Sequence, residues 1–319
     1  MLYTIKKSFA THQIKIDNHL LYFEEYGNPK GIPVIFLHGG PGSGCSNMQK
    51  ALFNHKKFRV IFLDQRGSGL SFPKRELKNN TTIKIIEDLE IIRKKLNIKK
   101  WLIVGGSWGA TLGIAYAEEN PSKVLGMILR AVFLGTKKEI KWAFHEAPFR
   151  FKPKILNDLT KFLKINFNTS PIVKLGKMLE NKKPQQYCLA AEIWQEYERC
   201  LSTSQDTTFN LNSIINNKDF SKKRIKNIPN TPFLEWHYIK NNFFFKSNQL
   251  LKNKNLLKNI PITIIQGNYD LLCPPATSFL FSKGLPKSKI HYVNLAGHYV
   301  SDPGIKEKMV EAINEFDNI

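Results

Sequence analysis

The sequence predicts an α/β fold in which a mostly parallel sheet is covered by helices and interrupted by a helical insertion. Short apolar runs alternate with longer segments of helical periodicity in the first half of the chain, which is typical of parallel strands joined by crossover helices. This alternation stops near residue 135 and returns near residue 256. Glycine-rich or polar loops follow the apolar runs, so we expect function at that edge of the sheet.

Four apolar runs in the first half have the length and composition of buried strands, namely residues 33–37, 58–63, 101–104 and 124–129. Between the second and third of them, residues 82–96 place apolar side chains on one helical face and follow threonines that can cap a helix. A second helix is predicted over roughly residues 108–119, because the Asn120-Pro121 pair that follows disfavours helical backbone.

The segment from about residue 135 to 255 is rich in lysine, phenylalanine and tryptophan at helical spacing. No apolar run within it is followed by a glycine loop. We therefore predict a helical cap at 135–255, inserted into a sheet domain formed by residues 1–134 and 256–319. Strands are predicted to resume at 262–266 and 290–295, with helices near 276–282 and from Asp302-Pro303 onwards.

Bulk composition predicts an ordinary folded protein of the cytoplasm. Apolar residues make up 42% and charged residues 23% of the 319 positions, which leaves no reason to expect disorder. The chain has no run of roughly 18 apolar residues and no apolar signal segment at its start, so no membrane association is expected. The four cysteines are too scattered for a disulfide framework or a zinc motif.

The formal net charge of +22 is the one unusual bulk property. Taken alone it suggests attraction to nucleic acid or to an anionic membrane. However, the excess lysine is spread along the whole chain together with asparagine and isoleucine, and no nucleic-acid-binding motif accompanies it. We therefore expect no nucleic-acid partner.

Residues 105–109, Gly-Gly-Ser-Trp-Gly, lie directly after one predicted strand and directly before a predicted helix. A serine on such a tight turn has its hydroxyl raised above the sheet edge, and the glycines are needed because side chains there would clash with backbone. The helix N-terminus stabilises negative charge that develops beside it. A GxSxG pattern recurs by chance in many proteins, but its position here favours Ser107 as a nucleophile.

A serine hydroxyl needs a general base, and the base needs an acid that orients it. Asp270 comes soon after the predicted strand 262–266, and His298 follows the last predicted strand. Their order after Ser107 is the order serine, acid, histidine that accompanies this turn. The sequence thus predicts a serine hydrolase of the α/β-hydrolase fold with Ser107, Asp270 and His298 as its catalytic triad.

The segment from His38 to Gly44 follows another predicted strand and is rich in glycine, but it lacks the GK[ST] ending of a phosphate-binding loop. In a serine hydrolase, an amide from this loop and the amide after the nucleophile form the oxyanion hole. We therefore predict Gly40 and Trp108 as its two donors. His38 is expected to be a structural hydrogen-bonding residue.

Several of these segments together resemble one family. HGGPGSG at 38–44, DQRGSGLS at 64–71, NNTT at 79–82, GGSWGATLGIAYAEENP at 105–121 and GNYDLLCPP at 267–275 are similar to the corresponding segments of proline iminopeptidases. GxSxG and the HG pair alone indicate only the α/β-hydrolase superfamily, whereas HGGPG together with DQRG, NNTT and GGSWG indicates the prolyl aminopeptidase branch.

The resemblance also implies how a substrate is held. In that family an acidic residue in a tryptophan-rich helix and another before a His-Tyr pair bind the free amine of an N-terminal proline, and the matching positions here are Glu198 and Glu235. Two desolvated carboxylates suit a protonated amine. The resemblance further implies that Arg130 steadies Glu198, while Phe133 and Cys273 line an apolar pocket for the pyrrolidine ring.

Together these observations predict a serine aminopeptidase that releases N-terminal proline from short peptides through an acyl-enzyme, with no cofactor and no metal. Two alternatives stay open. One is a small-molecule esterase or amidase that uses the same triad beneath a cap shaped for an uncharged substrate. The other is a non-catalytic binding protein with a basic surface. The sequence leaves the oligomeric state undetermined, and short peptides with an N-terminal proline are the expected partners.

Overall fold

A computed structural model describes residues 2–205, 207–217 and 219–318. Its centre is an eight-stranded sheet with the strand order β1-β2-β4-β3-β5-β6-β7-β8. The strands are β1 (Ala10–Ile16), β2 (His19–Gly27), β3 (Ile32–Leu37), β4 (Phe58–Asp64), β5 (Trp101–Ser107), β6 (Val124–Val132), β7 (Ile262–Gly267) and β8 (Ser288–Val293). β2 runs antiparallel to both of its neighbours, and the remaining pairs are parallel. The mostly parallel sheet predicted from the sequence is confirmed.

The β1–β2 hairpin at one edge of the sheet was not predicted. β1 alternates half-buried with exposed side chains and has no fully buried position, so it lacks the apolar run that marks the other strands. β2 has buried side chains mixed with charged and polar ones. The hairpin extends the sheet beside β4.

Helices α1 (Thr82–Lys95) and α2 (Trp108–Glu119) cross over between strands, as predicted. The hydroxyl of Thr81 accepts a hydrogen bond from the amide of Lys84, 3.3 Å away, and so caps the start of α1. α2 is apolar on all sides and almost completely buried, because it lies against the central strands β5 and β6.

The regular elements described between β6 and β7 are all helical. Besides two 3₁₀ turns, they are α3 (Lys137–Lys141), a π-helical turn (Trp142–Glu146), α4 (Ala147–Phe151), α5 (Pro153–Leu163), α6 (Ile172–Leu179), α7 (Pro184–Ser202), α8 (Leu211–Asn216), α9 (Lys222–Asn227), α10 (Thr231–Lys240) and α11 (Gln249–Lys252). Many of them share an apolar core of their own, which includes Leu159, Leu175, Trp194 and Tyr197. The division into domains at residues 134 and 255 stays a prediction.

The last helices, α12 (Pro275–Ser282) and α13 (Ile305–Asn314), cover opposite faces of the sheet. The prediction that the final helix begins at Asp302-Pro303 is wrong. The Asp302 carboxylate instead accepts a hydrogen bond from the Gly297 amide at 2.5 Å, and the helix begins after Gly304, whose φ of 84° is a left-handed backbone conformation.

Five 3₁₀ turns complete the described regular elements, at Asn47–Leu52, Pro121–Lys123, Asn242–Phe244, Lys254–Leu257 and Glu315–Asn318. One apolar core lies between the sheet and the helices α1, α2 and α12, and a second lies between the sheet and α13. None of the helices in the described residues combines the length and the apolar character needed to cross a membrane. The carboxyl ends of the parallel strands therefore meet at one edge, below the helices that follow β6.

Candidate active site

Ser107 lies at the junction of β5 and α2 in a strained backbone conformation, with φ 57° and ψ −125°. Positive φ is costly for a residue with a side chain and is typical of a nucleophile held on a strand-to-helix turn. A Cβ atom on Gly105 would lie 2.7 Å from the carbonyl oxygen of Gly109, and one on Gly109 would overlap the carbonyl of Leu37. The flanking glycines are therefore required for this turn to pack against β3.

Asp270 and His298 lie on the loops after β7 and β8. His298 Nδ1 is 2.8 Å from Asp270 Oδ2, and because a carboxylate only accepts, the imidazole donates this hydrogen bond. The other oxygen of Asp270 accepts hydrogen bonds from the amides of Leu272 and Cys273, at 2.9 and 2.8 Å. The Asp270 carboxylate is thus fixed, and it holds the tautomer of His298 in which Nε2 can take up a proton.

Ser107 and His298 line one cavity of about 290 Å³, and the helices that follow β6 form its roof. The Ser107 hydroxyl also lies within hydrogen-bonding reach of the Cys273 thiol. Asp270 is buried behind His298. The structure therefore brings the three predicted triad residues together from three separate strand ends.

Of the two predicted oxyanion donors, Trp108 directly follows Ser107 and Gly40 lines the same cavity as Ser107. Trp108 is the first residue of α2, where backbone amides have no partner within the helix. Gly40 has a φ of 105°, and a Cβ atom on it would lie 2.5 Å from the amide nitrogen of Gly42. Its neighbour Gly39 approaches the nucleophile so closely that an added Cβ would lie 3.6 Å from Cβ of Ser107.

Glu198 on α7 and Glu235 on α10 face each other in the roof of the cavity and share a hydrogen bond. The indole of Trp194 donates to Oε2 of Glu235 at 2.6 Å. Burial raises the pKa of Glu198 to about 7. Burial and the neighbouring Glu198 raise the pKa of Glu235 well above its ordinary value. Two carboxyls so close together hold one proton between them, which leaves the pair with a single negative charge.

Arg130 lines the same cavity as Glu198, and the expectation that it steadies Glu198 stays a prediction. Its guanidinium donates a hydrogen bond to the backbone carbonyl of His298 and lies against Gly106, where an added Cβ would be 2.7 Å from Nη2. The contacts of Glu198 are instead with Glu235 and Trp194. Arg130 thus contacts the base loop and the nucleophile turn, and its expected role in steadying Glu198 gains no support from these contacts.

The predicted pocket residues Phe133 and Cys273 both line the cavity. Phe133 packs edge-on against Phe243, with 5.0 Å between ring centroids. Sequence reasoning did not identify Phe243, which also lines the cavity, nor Trp194. A rule that buried indoles seek an acceptor could have linked Trp194 to a nearby glutamate, but its position relative to Glu235 depends on how α7 and α10 pack.

Asp270, Cys273 and His298 bring three potential metal ligands within 4.8 Å of one another. Burial raises the pKa of the Cys273 thiol well above its ordinary value, so sulfur remains protonated and is a poor ligand. Both carboxylate oxygens of Asp270 are engaged by hydrogen-bond donors. These side chains therefore fit a hydrogen-bonded Asp270–His298 pair, in which the carboxylate orients the imidazole, better than they fit a metal centre.

A family model described as the alpha/beta hydrolase fold matches residues 32–304. Among curated proteins, the chain is 35% identical to a probable proline iminopeptidase of Leptolyngbya boryana over 93% of this chain and 91% of that one. It is 33% identical to the proline iminopeptidase of Neisseria gonorrhoeae over 98% of both chains.

Solved structures show the same fold at lower sequence identity. A proline iminopeptidase-related protein from Thermus thermophilus aligns with a TM-score of 0.59 and 19% identity over 95% of this chain and 96% of that one. An esterase from a Rhodococcus species aligns with a TM-score of 0.60 and 16% identity over 96% of this chain and 97% of that one.

Proposed function

Because this chain belongs to the proline iminopeptidase family of α/β hydrolases, we propose that it releases N-terminal proline from short peptides with Ser107, Asp270 and His298 as catalytic residues. The reaction needs no cofactor. The observation that carries the proposal is the pair Glu198 and Glu235 in the roof of the cavity that Ser107 lines. A half-neutralised carboxyl pair is complementary to a single positive charge, which is what the amine of an N-terminal residue supplies.

Binding begins when the protonated amine of the substrate pairs with Glu198 and Glu235, which keep their shared proton and together carry one negative charge. The pyrrolidine ring then lies in the apolar part of the cavity beside Phe133 and Cys273. Holding the amine at one end brings the first carbonyl of the peptide to Ser107, and a peptide with residues ahead of the proline has no protonated amine at that position to hold. This geometry favours an exopeptidase over an endopeptidase.

Acylation follows from the hydrogen bond between His298 and Asp270. Nε2 of His298 accepts the proton of Ser107 as its oxygen attacks the proline carbonyl, and the amides of Gly40 and Trp108 stabilise the oxyanion. His298 then protonates the leaving amine of the shortened peptide. Water then gives a proton to His298 as its oxygen attacks the prolyl ester, and His298 returns that proton to the Ser107 oxygen as proline leaves.

The test is release of a chromogenic amine from proline amide, compared with the alanine analogue and with N-acetylproline amide. We expect turnover of the free proline substrate, little turnover of the N-acetyl substrate, and none in Ser107→Ala. Turnover of the N-acetyl substrate at an equal rate would refute the amine-anchor role of Glu198 and Glu235 and would favour an esterase or amidase.

A fluorophosphonate probe tests the triad separately from the substrate. The probe reacts with an activated serine and needs no amine anchor. Labelling of the wild type but not of Ser107→Ala is the expected result. An unlabelled wild-type protein would support a non-catalytic binding role.

A further inference from the structure

Gln65 follows β4 and links the two backbone segments that supply the proposed oxyanion donors. Its side chain is buried, with 2% of the residue exposed. Oε1 accepts a hydrogen bond from the Trp108 indole at 2.7 Å, and Nε2 donates one to the backbone carbonyl of His38 at 3.0 Å. Because an indole N–H only donates, these partners also fix which end of the amide is oxygen.

The main chain of Gln65 adds a third connection. Its amide donates to Nε2 of His38 at 3.1 Å, while Nδ1 of His38 lies 2.8 Å from the carbonyl oxygen of Gly39. Burial lowers the pKa of His38, so the ring is neutral and has one donor and one acceptor, as these two contacts require. The backbone just before Gly40 is therefore tied to the end of β4.

The other end of the bridge is equally constrained. The Trp108 ring is fully buried and packs against Tyr238 and Phe243, with ring centroids 4.7 and 6.0 Å away. The hydrogen bond from the indole to Gln65 also prevents the ring from turning within its own plane. A fixed ring holds the backbone amide of Trp108 at the start of α2.

We propose that Gln65 is a positioning residue that sets the spacing between the Gly40 and Trp108 amides. The proposal rests on the proposed function, because it takes these amides as the oxyanion donors. Such donors act only within a few tenths of an ångström of the position where the oxyanion forms. An amide that spans both segments is a direct way to hold that spacing, and a purely apolar side chain could not make either bond.

The first variant is Gln65→Met, which keeps the length of the side chain and removes both side-chain hydrogen bonds. With p-nitrophenyl acetate we expect kcat to fall about 10- to 100-fold with KM changed less than about twofold, since displaced donors weaken only the transition state. The rate of fluorophosphonate labelling should fall by a similar factor. Thr160→Val, which removes a buried hydroxyl that donates to the Leu156 carbonyl in α5, is the control for a loss of stability alone.

The second variant is Gln65→Glu, which separates positioning from packing. A protonated carboxyl can accept from Trp108 and donate to His38, whereas a carboxylate cannot donate. The ratio of variant to wild-type kcat should therefore rise as pH falls from 9 to 6, while the ratio for Gln65→Met stays flat. A structural role without positioning predicts that the ratio for Gln65→Glu changes only in step with the folded fraction of the variant, measured by circular dichroism at each pH.

Neither p-nitrophenyl acetate nor the fluorophosphonate needs an amine anchor, so the result for Gln65 is independent of the preference for proline. If the protein hydrolyses the ester but not proline amide, the proposed substrate is wrong, and the Gln65 test can still be carried out with the ester. If kcat of Gln65→Met lies within twofold of wild type, or if the loss falls on KM, Gln65 does not position the donors. A wild type that shows neither labelling nor ester turnover would overturn the oxyanion assignment and the role of Gln65 with it.

Discussion

Glu198 and Glu235 illustrate how placing two like residues together changes their chemistry. Each carboxyl on its own would be ionised at neutral pH, but burial raises both pKa values, and the charge of Glu198 raises the pKa of Glu235 further. Without a substrate, the close approach of these two buried carboxyls destabilises the folded protein. An ammonium group that binds between the two carboxyls offsets this loss of stability, so substrate binding should stabilise the folded protein through the same pair.

Glu198→Gln should therefore stabilise the protein in a pH-dependent manner. The pKa of Glu198 is about 7 in the folded state and 4.5 as the ordinary value, so between these pH values the folded state binds more protons than the unfolded state. Wild-type stability consequently falls as pH rises through that window. We expect the free energy of unfolding of the variant, relative to wild type, to increase from pH 5 to pH 8 in urea titrations.

Glu311→Gln is the control for this experiment. Glu311 is paired with Lys308 on the surface, and its pKa is lowered, so no gain of stability with pH is expected. A constant difference between Glu198→Gln and wild type across the pH range would show that Glu198 is not buried with Glu235.

Gly106→Ala should lower activity through Arg130. The added Cβ would lie 2.7 Å from the guanidinium, which donates to the carbonyl of His298. We expect kcat to fall roughly tenfold, because the base loop shifts. In an Arg130→Ala background the same change should cost less than about twofold, which a double-mutant cycle measures. Equal losses in the two backgrounds would contradict the coupling.

Single residues differed in how well the sequence indicated them. Ser107, Asp270 and His298 each follow a strand in a fixed chain order, so their proximity could be predicted from topology. Arg130 could not be assigned in this way, because its partner depends on the direction of a long side chain. Gln65 follows a strand as the triad residues do, but its bridging contacts become visible only when Trp108 and His38 are placed in space.

Among the secondary-structure elements, the C-terminal end of α7 is hydrogen-bonded to the loop after β8. The carbonyl of Ser202, the last residue of α7, accepts hydrogen bonds from the amides of His298 and Tyr299, at 2.7 and 3.2 Å. The hydroxyl of Ser204 donates to the carbonyl of Leu295 at 2.7 Å. The helix that carries Glu198 is therefore attached directly to the loop that carries the proposed base.

Gly297→Ala tests this junction. An added Cβ would lie 2.8 Å from the carbonyl oxygen of Ser202 and would separate the loop from α7. We expect kcat toward proline amide to fall about tenfold. Gly284→Ala is the comparison, because nothing lies within 4 Å of its added Cβ. Its positive φ should cost about 1 kcal/mol of stability and leave kcat unchanged. Equal kcat values for the two variants would refute the role of the junction.

The central strands could be predicted because burial on both faces leaves continuous apolar runs. The β1–β2 hairpin escaped prediction because one side of β1 faces solvent and its sequence mixes polar with apolar residues. The start of α13 was misplaced because the Asp302 carboxylate does not cap a helix but accepts a hydrogen bond from the Gly297 amide, five residues earlier in the same loop.

Over the entire chain, the net charge of +22 should influence which peptides arrive at the cavity. A strongly positive surface repels cationic ligands and attracts anionic ones, and salt screens both effects. We expect kcat/KM for Pro-Asp to exceed that for Pro-Lys by about 2- to 10-fold at 10 mM salt. At 0.5 M salt the ratio should approach a value set by contacts alone. A ratio that does not change with salt would show that the charge plays no part in substrate selection.

The order of elements along the chain places the proposed nucleophile on β5, while its acid and base come only after β7 and β8. The long helical segment is synthesised between them. A nascent chain on the ribosome thus carries Ser107 without a proton acceptor until its final strands have emerged. A product terminated before β8 lacks His298, the proposed base, and we therefore expect it to be inactive as a peptidase.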